Sequence, residues 1–128
     1  MKEPYWITPQ EALALHAMMI SQYGGLAGIR DEHLFESALA RPKNIFVYGK
    51  PALPKLAASY AAGIVKNHPF LDGNKRTGFM LGIGFLERNG RRFFAGEADA
   101  VIQTLALAAG ESTEAEYAAW LEQNSSPV

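Results

Sequence analysis

The feature that most constrains the fold is the segment 74–89, which as a helix would have apolar side chains on every side. Those side chains are Phe79, Met80, Leu81, Ile83, Phe85 and Leu86. A helix that is apolar all round is normally buried, so we expect 74–89 to be a central helix enclosed by others. Gly82 and Gly84 each cost about 1 kcal/mol relative to alanine within a helix. We therefore expect another helix to cross closely at these glycines.

The rest of the 128 residues is also helical in its periodicity, and the length suits a single domain spanning residues 1–128. Capping boxes at Thr8 and Thr113, a cap at Asp31, and breaks at glycine and proline separate the helices. The predicted helices are 8–23, 31–40, 54–67, 74–89, 97–109 and one that opens at 113. We expect an all-α, compact bundle of about six helices around the buried one, with at most a short strand at 92–94.

Finer expectations concern packing and the segments between helices. Residues 41–53 combine prolines and a glycine with apolar residues, which favours a loop or an irregular hairpin. The tail 124–128 is expected to fray. The periodicity places four side chains of the fifth helix inside, namely Val101, Ile102, Leu105 and Ala108. The inner stripe of the first helix is Leu13, His16, Met19, Ile20 and Tyr23.

The composition excludes several classes of protein. The absence of cysteine rules out disulfide scaffolds, thiol nucleophiles and zinc ribbons. The formal net charge of -1 disfavours direct DNA binding, because generic nucleic-acid binders are basic. No apolar run approaches the ~20 residues that cross a bilayer, and the first residues lack the apolar core of a signal peptide. We expect a cytoplasmic protein with no membrane partner.

One segment, HPFLDGNKRT at residues 68–77, is dense in residues that helix interiors avoid. It leads into the predicted central helix, where free N–H groups and the helix dipole favour anions. Lys75 and Arg76 are cations at this electropositive end, which is explained if a multiply charged anion binds there. Asp72 is a suitable Mg²⁺ ligand beside a phosphate, and His68 is a suitable general base for a hydroxyl. These residue types together indicate phosphoryl or nucleotidyl transfer.

This segment resembles the Fic/Doc family, whose signature is HPFx[D/E]GN followed by a small or basic residue and arginine. Lysine in the variable place is similar to the Doc (death-on-curing) branch, the toxins of type II toxin–antitoxin pairs. Residues 7–42 and the LERNG after the motif are similar to the same branch. The resemblance implies that His68 takes a proton from a target hydroxyl, and that Asp72 holds Mg²⁺ on the phosphates of ATP. It also implies that an anion hole binds those phosphates and contains Gly73, Asn74, Lys75 and Arg76.

Two departures from AMP-transferring Fic enzymes bear on the reaction. Those enzymes have glycine at the position of Lys75 and a second arginine at the position of Phe79. The Doc branch shares both departures. The resemblance implies that it transfers the γ-phosphoryl group of ATP to a threonine of translation elongation factor Tu, which arrests translation. We therefore expect a protein kinase-type phosphotransferase. The alternatives are a Fic-type AMP transferase acting on a protein hydroxyl, and a catalytically idle member that only binds an antitoxin.

The resemblance also implies how such an enzyme is restrained and how it docks its target. The self-inhibitory pattern [S/T]xxxE[G/N] has no match, so we expect a cognate antitoxin whose disordered tail folds as a helix in a groove. Residues 42–53 correspond to the flap that aligns a target by strand addition in Fic proteins, with an ordinary packed loop as the equal alternative. Of the other histidines, His16 is expected in or at the edge of the core. His33 and Glu36 have metal-pair spacing but no third ligand.

Overall fold

The computed structural model describes residues 2–128, in which the chain forms six α-helices and two short strands. The helices are α1 (Pro9–Tyr23), α2 (Glu32–Gly49), α3 (Leu53–Asn67), α4 (Asn74–Arg88), α5 (Glu97–Ala109) and α6 (Glu114–Gln123). The strands β1 (Arg91–Phe93) and β2 (Ser125–Pro127) pair antiparallel, with Arg92 opposite Ser126. The predicted all-α bundle with a short β element is confirmed. No helix of residues 2–128 is both long enough and apolar enough to cross a membrane.

The helix at the centre of the bundle is α3, whereas the sequence predicted α4. Ten consecutive residues of α3, from Leu56 to Val65, are buried, while α4 exposes Gly84 and Glu87. Many of the buried residues of α3 are small, namely Ala57, Ala58, Ala61, Ala62 and Gly63. Small side chains let α2, α4, α5 and α6 all pack against α3. The prediction chose α4 because its apolar side chains are large. The central helix is instead the one whose small side chains let several other helices approach its backbone.

α4 crosses α3 at two glycines. A Cβ atom at Gly78 would lie 3.0 Å from the carbonyl oxygen of Ala61, and one at Gly82 would lie 3.1 Å from that of Ala57. Both distances are tighter than ordinary van der Waals contact, so the close crossing expected at Gly82 is confirmed. A Cβ atom at Gly84 would meet nothing within 4 Å, so the same expectation is wrong there.

α2 continues to Gly49, so the expectation of a loop or hairpin over 41–53 is wrong for most of that segment. Pro42 lies inside the helix, where a proline typically costs about 3 kcal/mol through a lost hydrogen bond and a steric clash. The helix continues because Pro42 and Phe46 are both buried, and burying a phenylalanine contributes about 1.5–3 kcal/mol. Residues 42–49 are therefore helical and do not form a strand-pairing flap in this conformation.

α5 turns its predicted inner face outward. Its buried residues are Ala100, Thr104 and Leu107. Val101, Ile102 and Leu105 are 52%, 63% and 49% exposed, so their predicted burial is wrong. The buried hydroxyl of Thr104 lies 3.0 Å from the hydroxyl of Tyr117, which satisfies a polar side chain in the core. Apolar periodicity does not detect a buried position that is occupied by a polar residue such as Thr104.

The C-terminal tail is a strand, so the prediction that 124–128 frays is wrong. β2 pairs with β1, and the N–H of Val128 donates to the carbonyl oxygen of Gly90 at 2.9 Å. Arg91 fastens the tail from the side: its Nε donates to Ser125 Oγ at 2.6 Å. Its Nη2 donates to the carbonyl oxygens of Ser125 at 3.0 Å and Glu122 at 3.1 Å. The tail is thus held by Arg91, which is more than thirty residues away in the chain, so the sequence of the tail alone does not reveal that it is ordered.

α1 is tied to α4 by an ion pair between Glu11 and Arg88. The hydrogen bond from the Arg88 guanidinium is the main cause that lowers the pKa of Glu11 to about 2. On the inner face, His16 is buried as predicted, whereas Leu13 and Tyr23 are exposed. This arrangement directs His16 toward the connection between α3 and α4.

Candidate active site

The segment HPFLDGNKRT forms the connection between α3 and α4 and the first turn of α4. Residues 68–73 of this segment are termed the motif loop. α3 ends because His68 adopts a left-handed backbone (φ 54°, ψ 53°) and is followed by Pro69, before which a helix rarely continues. α4 begins after Gly73, whose left-handed φ of 76° carries no Cβ penalty in glycine. The loop thus carries its polar residues between two helix ends, and the His68 side chain is exposed.

The first end of the motif loop is held by the segment that precedes α2. The Arg30 side chain donates from Nε to the carbonyl oxygen of His68 at 2.7 Å and from Nη2 to that of Asn67 at 2.9 Å. The backbone N–H groups of Arg30 and Asp31 both donate to the carbonyl oxygen of Pro69, at 2.6 and 3.0 Å. The last carbonyls of a helix have no partner within it, and Arg30 supplies partners at the end of α3. Arg30 therefore fixes the backbone that carries the His68 side chain.

Asn74 closes the motif loop from inside. Its Nδ2 donates to the carbonyl oxygen of Phe70 at 3.0 Å, and its Oδ1 accepts from the N–H of Phe70 at 3.0 Å. Asn74 is 3% exposed and Phe70 is fully buried. The Asn74 side chain is thus committed to shaping the loop and does not face a ligand. Of the anion-hole role expected for Asn74, only its backbone N–H at the start of α4 remains available.

Asp72 occupies the turn just before α4. Its Oδ1 accepts from the N–H of Gly73 at 2.9 Å, and its Oδ2 accepts from the N–H of Leu26 at 3.3 Å. His16 Nε2 lies 2.9 Å from the main-chain oxygen of Asp72. The backbone of Gly25 is so close that a Cβ atom there would lie 2.7 Å from Oδ2. A carboxylate has about four acceptor positions, so Asp72 keeps lone pairs for a further ligand.

Lys75 and Arg76 are both exposed on the first turn of α4. Within the part of the chain that the structure describes, no carboxylate oxygen lies within 4.0 Å of either cation. The Arg76 guanidinium lies over the ring of Tyr23, with its central carbon 4.0 Å from the ring centroid. The two charges add to the positive end of the α4 dipole. This end of α4 is therefore suited to an anion with several charges.

His68 and Lys75 line the same open groove, which has a volume of about 560 Å³. The wall on α5 is mostly apolar and consists of Ile102, Leu105, Ala106, Ala108 and Ala109. The outward face of α5, which the sequence had placed in the core, thus lies beside the candidate base. A polypeptide lying in this groove would pass directly by His68.

The start of α4 fits a magnesium nucleotide. Among residues 2–128, no group of three or more histidine, aspartate and glutamate side chains converges to form a complete metal cage. Mg²⁺ is usually bound by one or two carboxylates and completes its coordination with phosphate oxygens and water. Asp72, which has free acceptor positions next to a helix N-terminus, meets that requirement. Lys75 and Arg76, exposed on the first turn of α4, are the residues that could hold the phosphates of such a nucleotide.

Three residues that hold the motif loop were not assigned to the site from the sequence. Arg30 was given no role, Gly25 was expected only to help end the first helix, and His16 was expected only in or at the edge of the core. Each acts on a residue far away in the chain: His16 on a position 56 residues later, and Arg30 on one 38 residues later. Gly24, Gly25 and Gly28 before α2 were a signal in the sequence, since glycine lets another part of the chain approach the backbone closely. They do not indicate which segment of the chain approaches.

Comparison with known proteins assigns the class. Residues 6–86, more than half of the chain, match the Fic/DOC family. The chain therefore belongs to the Fic/DOC family, which confirms the resemblance seen in the motif.

Two named relatives belong to the Doc branch. The chain is 37% identical to Protein kinase doc of Escherichia phage P1 over 89 residues. This aligned segment covers 69% of this chain and 71% of that protein. The chain is 41% identical to Toxin Doc of Mycolicibacterium smegmatis over 71 residues. This aligned segment covers 53% of this chain and 54% of that protein. Within the family, the chain is therefore similar to Doc proteins.

Proposed function

We propose that this protein is a Doc-like toxin that transfers the γ-phosphoryl group of ATP to a hydroxyl group of a protein, with Mg²⁺ as cofactor. The observation that carries the proposal is that the exposed His68 lines one groove with Lys75, and that Arg76 follows Lys75 on the same first turn of α4. Among residues 2–128, neither cation has a carboxylate oxygen within 4.0 Å. A base for the hydroxyl and a clamp for the phosphates are what phosphoryl transfer requires. The relative named Protein kinase doc supports the same class of reaction.

His68 is the proposed general base. Its neutral imidazole accepts the proton of the target hydroxyl while the oxygen forms a bond to the γ-phosphorus. The bond between that phosphorus and the bridging oxygen breaks, and ADP leaves with the electron pair of the bond. A positioned base of this kind contributes about 10²–10⁴-fold in rate. The Arg30 contact to the His68 carbonyl supports this role, because it fixes the backbone from which the imidazole extends.

The remaining residues of the site hold the nucleotide. When bound, Mg²⁺ neutralises charge on the phosphates. Asp72 is the proposed Mg²⁺ ligand, and the backbone N–H of Asn74 at the start of α4 is proposed to face the phosphates as part of the anion hole. The N–H of Gly73 instead donates to Asp72 Oδ1, so Gly73 contributes to the anion hole through the turn that it forms. Arg76 offers a planar fork for phosphate oxygens. Its contact with Tyr23 supports this role by restricting the guanidinium before the nucleotide arrives.

Lys75 and Phe79 favour phosphoryl transfer over AMP transfer. Lys75 adds a charge and a long side chain to the groove beside His68, at the position where AMP-transferring relatives have glycine. Phe79 packs against Phe93 with ring centroids 5.8 Å apart, so it provides no second cation along α4. A cationic cluster confined to the first turn supports ATP binding with its γ-phosphate nearest His68. AMP transfer is the alternative outcome of the labelling experiment below.

Two partners belong to the proposal. The first is elongation factor Tu, modified on a threonine so that translation is arrested, as the family resemblance implies. The second is a cognate antitoxin whose disordered tail folds as a helix on the toxin. The apolar wall at Ile102 and Leu105 supports this partner, since an amphipathic helix docks on such a face. A helix bound there would cover His68.

The reaction is tested by incubating the full chain with elongation factor Tu, and separately with a cell extract, and ATP labelled at the α- or the γ-phosphate. We expect incorporation of the γ label alone. Incorporation of the α label would replace the proposal with AMP transfer. Incorporation of neither label, in extracts where the phage P1 relative succeeds, would favour an idle member that only binds an antitoxin.

The role of Lys75 is tested with a matched pair of variants, Lys75→Gly and Lys55→Gly. Both lysines are exposed in the first turn of a helix, so the two changes have a similar cost in helix propensity. Only Lys75 lines the groove with His68. One charge-assisted contact to phosphate contributes about 1.5–3 kcal/mol, so Lys75→Gly should slow transfer by roughly one to two decades. Equal rates for the two variants would contradict the role of Lys75.

The antitoxin surface is tested with Leu105→Lys and Val101→Lys. Both side chains are about half exposed on α5, but only Leu105 lines the groove. We expect Leu105→Lys to weaken neutralisation by the co-expressed antitoxin and Val101→Lys to leave it unchanged. If both variants are neutralised as well as the unsubstituted protein, the antitoxin binds elsewhere.

A further inference from the structure

His16 is a buried histidine that the proposed reaction does not use. It is 5% exposed, and its ring stacks on that of Phe70 with the centroids 3.7 Å apart and the planes inclined by 5°. Its Nε2 lies 2.9 Å from the main-chain oxygen of Asp72. A carbonyl oxygen can only accept a hydrogen bond, so Nε2 must carry a hydrogen and His16 is the donor.

The contact from His16 reaches the turn that sets the direction of the Asp72 carboxylate. α1 packs directly on this turn: a Cβ atom at Gly73 would lie 3.2 Å from Ile20 Cδ1 and 3.7 Å from His16 Nε2. The same turn aims the Gly73 N–H at Asp72 Oδ1, at 2.9 Å. Any rotation of the Asp72 peptide would therefore turn the carboxylate and the first N–H groups of α4 together.

We propose that His16 is a positioning residue that fixes the Asp72–Gly73 turn through its Nε2–H, while its stacking on Phe70 holds the ring in place. The Asp72 carboxylate and the N-terminal N–H groups of α4 are thereby preorganised for a magnesium nucleotide. The consequence for nucleotide binding rests on the proposed function. The ordering of the turn does not, and it is measured independently.

The two contacts of the His16 ring are separated by two substitutions made in the full chain. His16→Phe keeps a flat ring on Phe70 but removes the donor. His16→Gln gives up the ring but places an amide N–H near the position of Nε2. His33→Phe, at an exposed histidine of α2, is the matched control. The readouts are the hydrogen-exchange rate of the Gly73 amide by NMR, the affinity for ATP with Mg²⁺ by calorimetry, and the melting temperature.

We expect His16→Phe to raise the Gly73 exchange rate and to lower the affinity for ATP with Mg²⁺ about tenfold, as loss of a supporting hydrogen bond at a metal site typically does. His16→Gln should restore most of both quantities although it loses the ring stack, and His33→Phe should change neither. If His16 only stabilised the core through its ring, His16→Gln would be impaired more than His16→Phe. It would then have the lower melting temperature, the faster Gly73 exchange and the weaker affinity for ATP with Mg²⁺.

Three results would overturn the inference. The first is a Gly73 exchange rate in His16→Phe equal to that of the unsubstituted protein. The second is a His16→Gln variant as impaired as His16→Phe. The third, which needs no variant, is an NMR spectrum of the unsubstituted protein that shows Nε2 of His16 without a hydrogen. If the unsubstituted protein does not bind ATP with Mg²⁺, the proposed function fails, while the exchange rates and the Nε2 spectrum still decide the role of His16.

Discussion

Two helices of this chain end in the same way, yet only one of these ends carries a candidate site. α2 is capped by Lys50 and α3 by His68, the two non-glycine residues of the described chain with a positive φ, at 43° and 54°. Each is followed by proline. Each donates its N–H to the carbonyl oxygen four residues earlier, Phe46 at 2.9 Å and Ile64 at 3.0 Å. The local chemistry that stops the helix is the same at both ends.

The difference lies in contacts from distant parts of the chain. At the end of α3, Arg30 donates to the carbonyls of Asn67 and His68, and α1 and its following loop hold Asp72. At the end of α2, no side chain among residues 2–128 donates to the carbonyls of residues 49–51. Left-handed backbone costs about 1–2 kcal/mol in a residue with a Cβ atom. The candidate site therefore lies where distant parts of the fold hold the left-handed residue, whereas the similar helix end at Lys50 lacks such side-chain contacts among residues 2–128.

The largest expected effect is that of removing the side chain at each cap. His68→Ala should reduce transfer by about 10²–10⁴-fold, because the general base is lost, and Lys50→Ala should leave transfer unchanged. Both variants should remain folded, since both side chains are exposed. The measurement is γ-label transfer to elongation factor Tu, with circular dichroism as the check on folding. A folded His68→Ala variant that still arrests growth when expressed alone would remove His68 as the base.

The next effect comes from weakening the contact that distinguishes the two helix ends. Arg30→Lys keeps the charge but cannot donate to two carbonyls through a planar fork. We expect a loss of about tenfold to hundredfold in transfer, since a misplacement of about 1 Å at a catalytic group has consequences of this size. The control is Arg92→Lys at an exposed arginine of β1. If Arg30→Lys transfers as fast as Arg92→Lys, the clamp does not position His68.

A third prediction concerns Asp72 and uses neighbouring glycines. Gly25→Ala and Gly24→Ala both place alanine where φ is positive, at 117° and 83°. Only at Gly25 would the new Cβ atom meet Asp72 Oδ2, at 2.7 Å, while at Gly24 it would meet nothing within 4 Å. We expect Gly25→Ala to raise the Mg²⁺ concentration that gives half-maximal transfer about tenfold, because it displaces the carboxylate. An equal Mg²⁺ requirement in the two variants would argue against Asp72 as the Mg²⁺ ligand.

The fold could be predicted from the sequence where the signals are local. The capping boxes and the break before Pro69 placed the helix ends well, because a cap is decided by a few adjacent residues. The errors occurred where packing overrides local preference. Pro42 was expected to stop α2, but the burial of Phe46 carries the helix past it. The tail was expected to fray, but Arg91 and β1 hold it.

The candidate site divides in the same way. All the residues expected to carry chemistry lie within one short segment, 68–76, whose composition singles them out as candidates, and their roles stay predictions. Asn74 was expected in the anion hole, and the sequence does not show that its side chain is bonded to the backbone of Phe70. Arg30 and His16 were missed, since their partners lie tens of residues away and no spacing rule joins them. The sequence thus indicates candidate reactive groups, but it does not indicate which groups position them.

The smallest expected effect is on stability, and it tests whether the two caps are strained alike. Lys50→Gly and His68→Gly should each stabilise the fold by about 1 kcal/mol or less, because the relieved left-handed strain is partly offset by the greater entropy of glycine in the unfolded chain. For a chain of this size, that corresponds to a rise in melting temperature of up to about 4 °C. Lys50→Gly should keep transfer activity, whereas His68→Gly should gain stability and lose activity. A melting temperature that falls in His68→Gly but rises in Lys50→Gly would mean that the imidazole contributes to folding, and that the two helix ends differ in their own energetics as well as in what holds them.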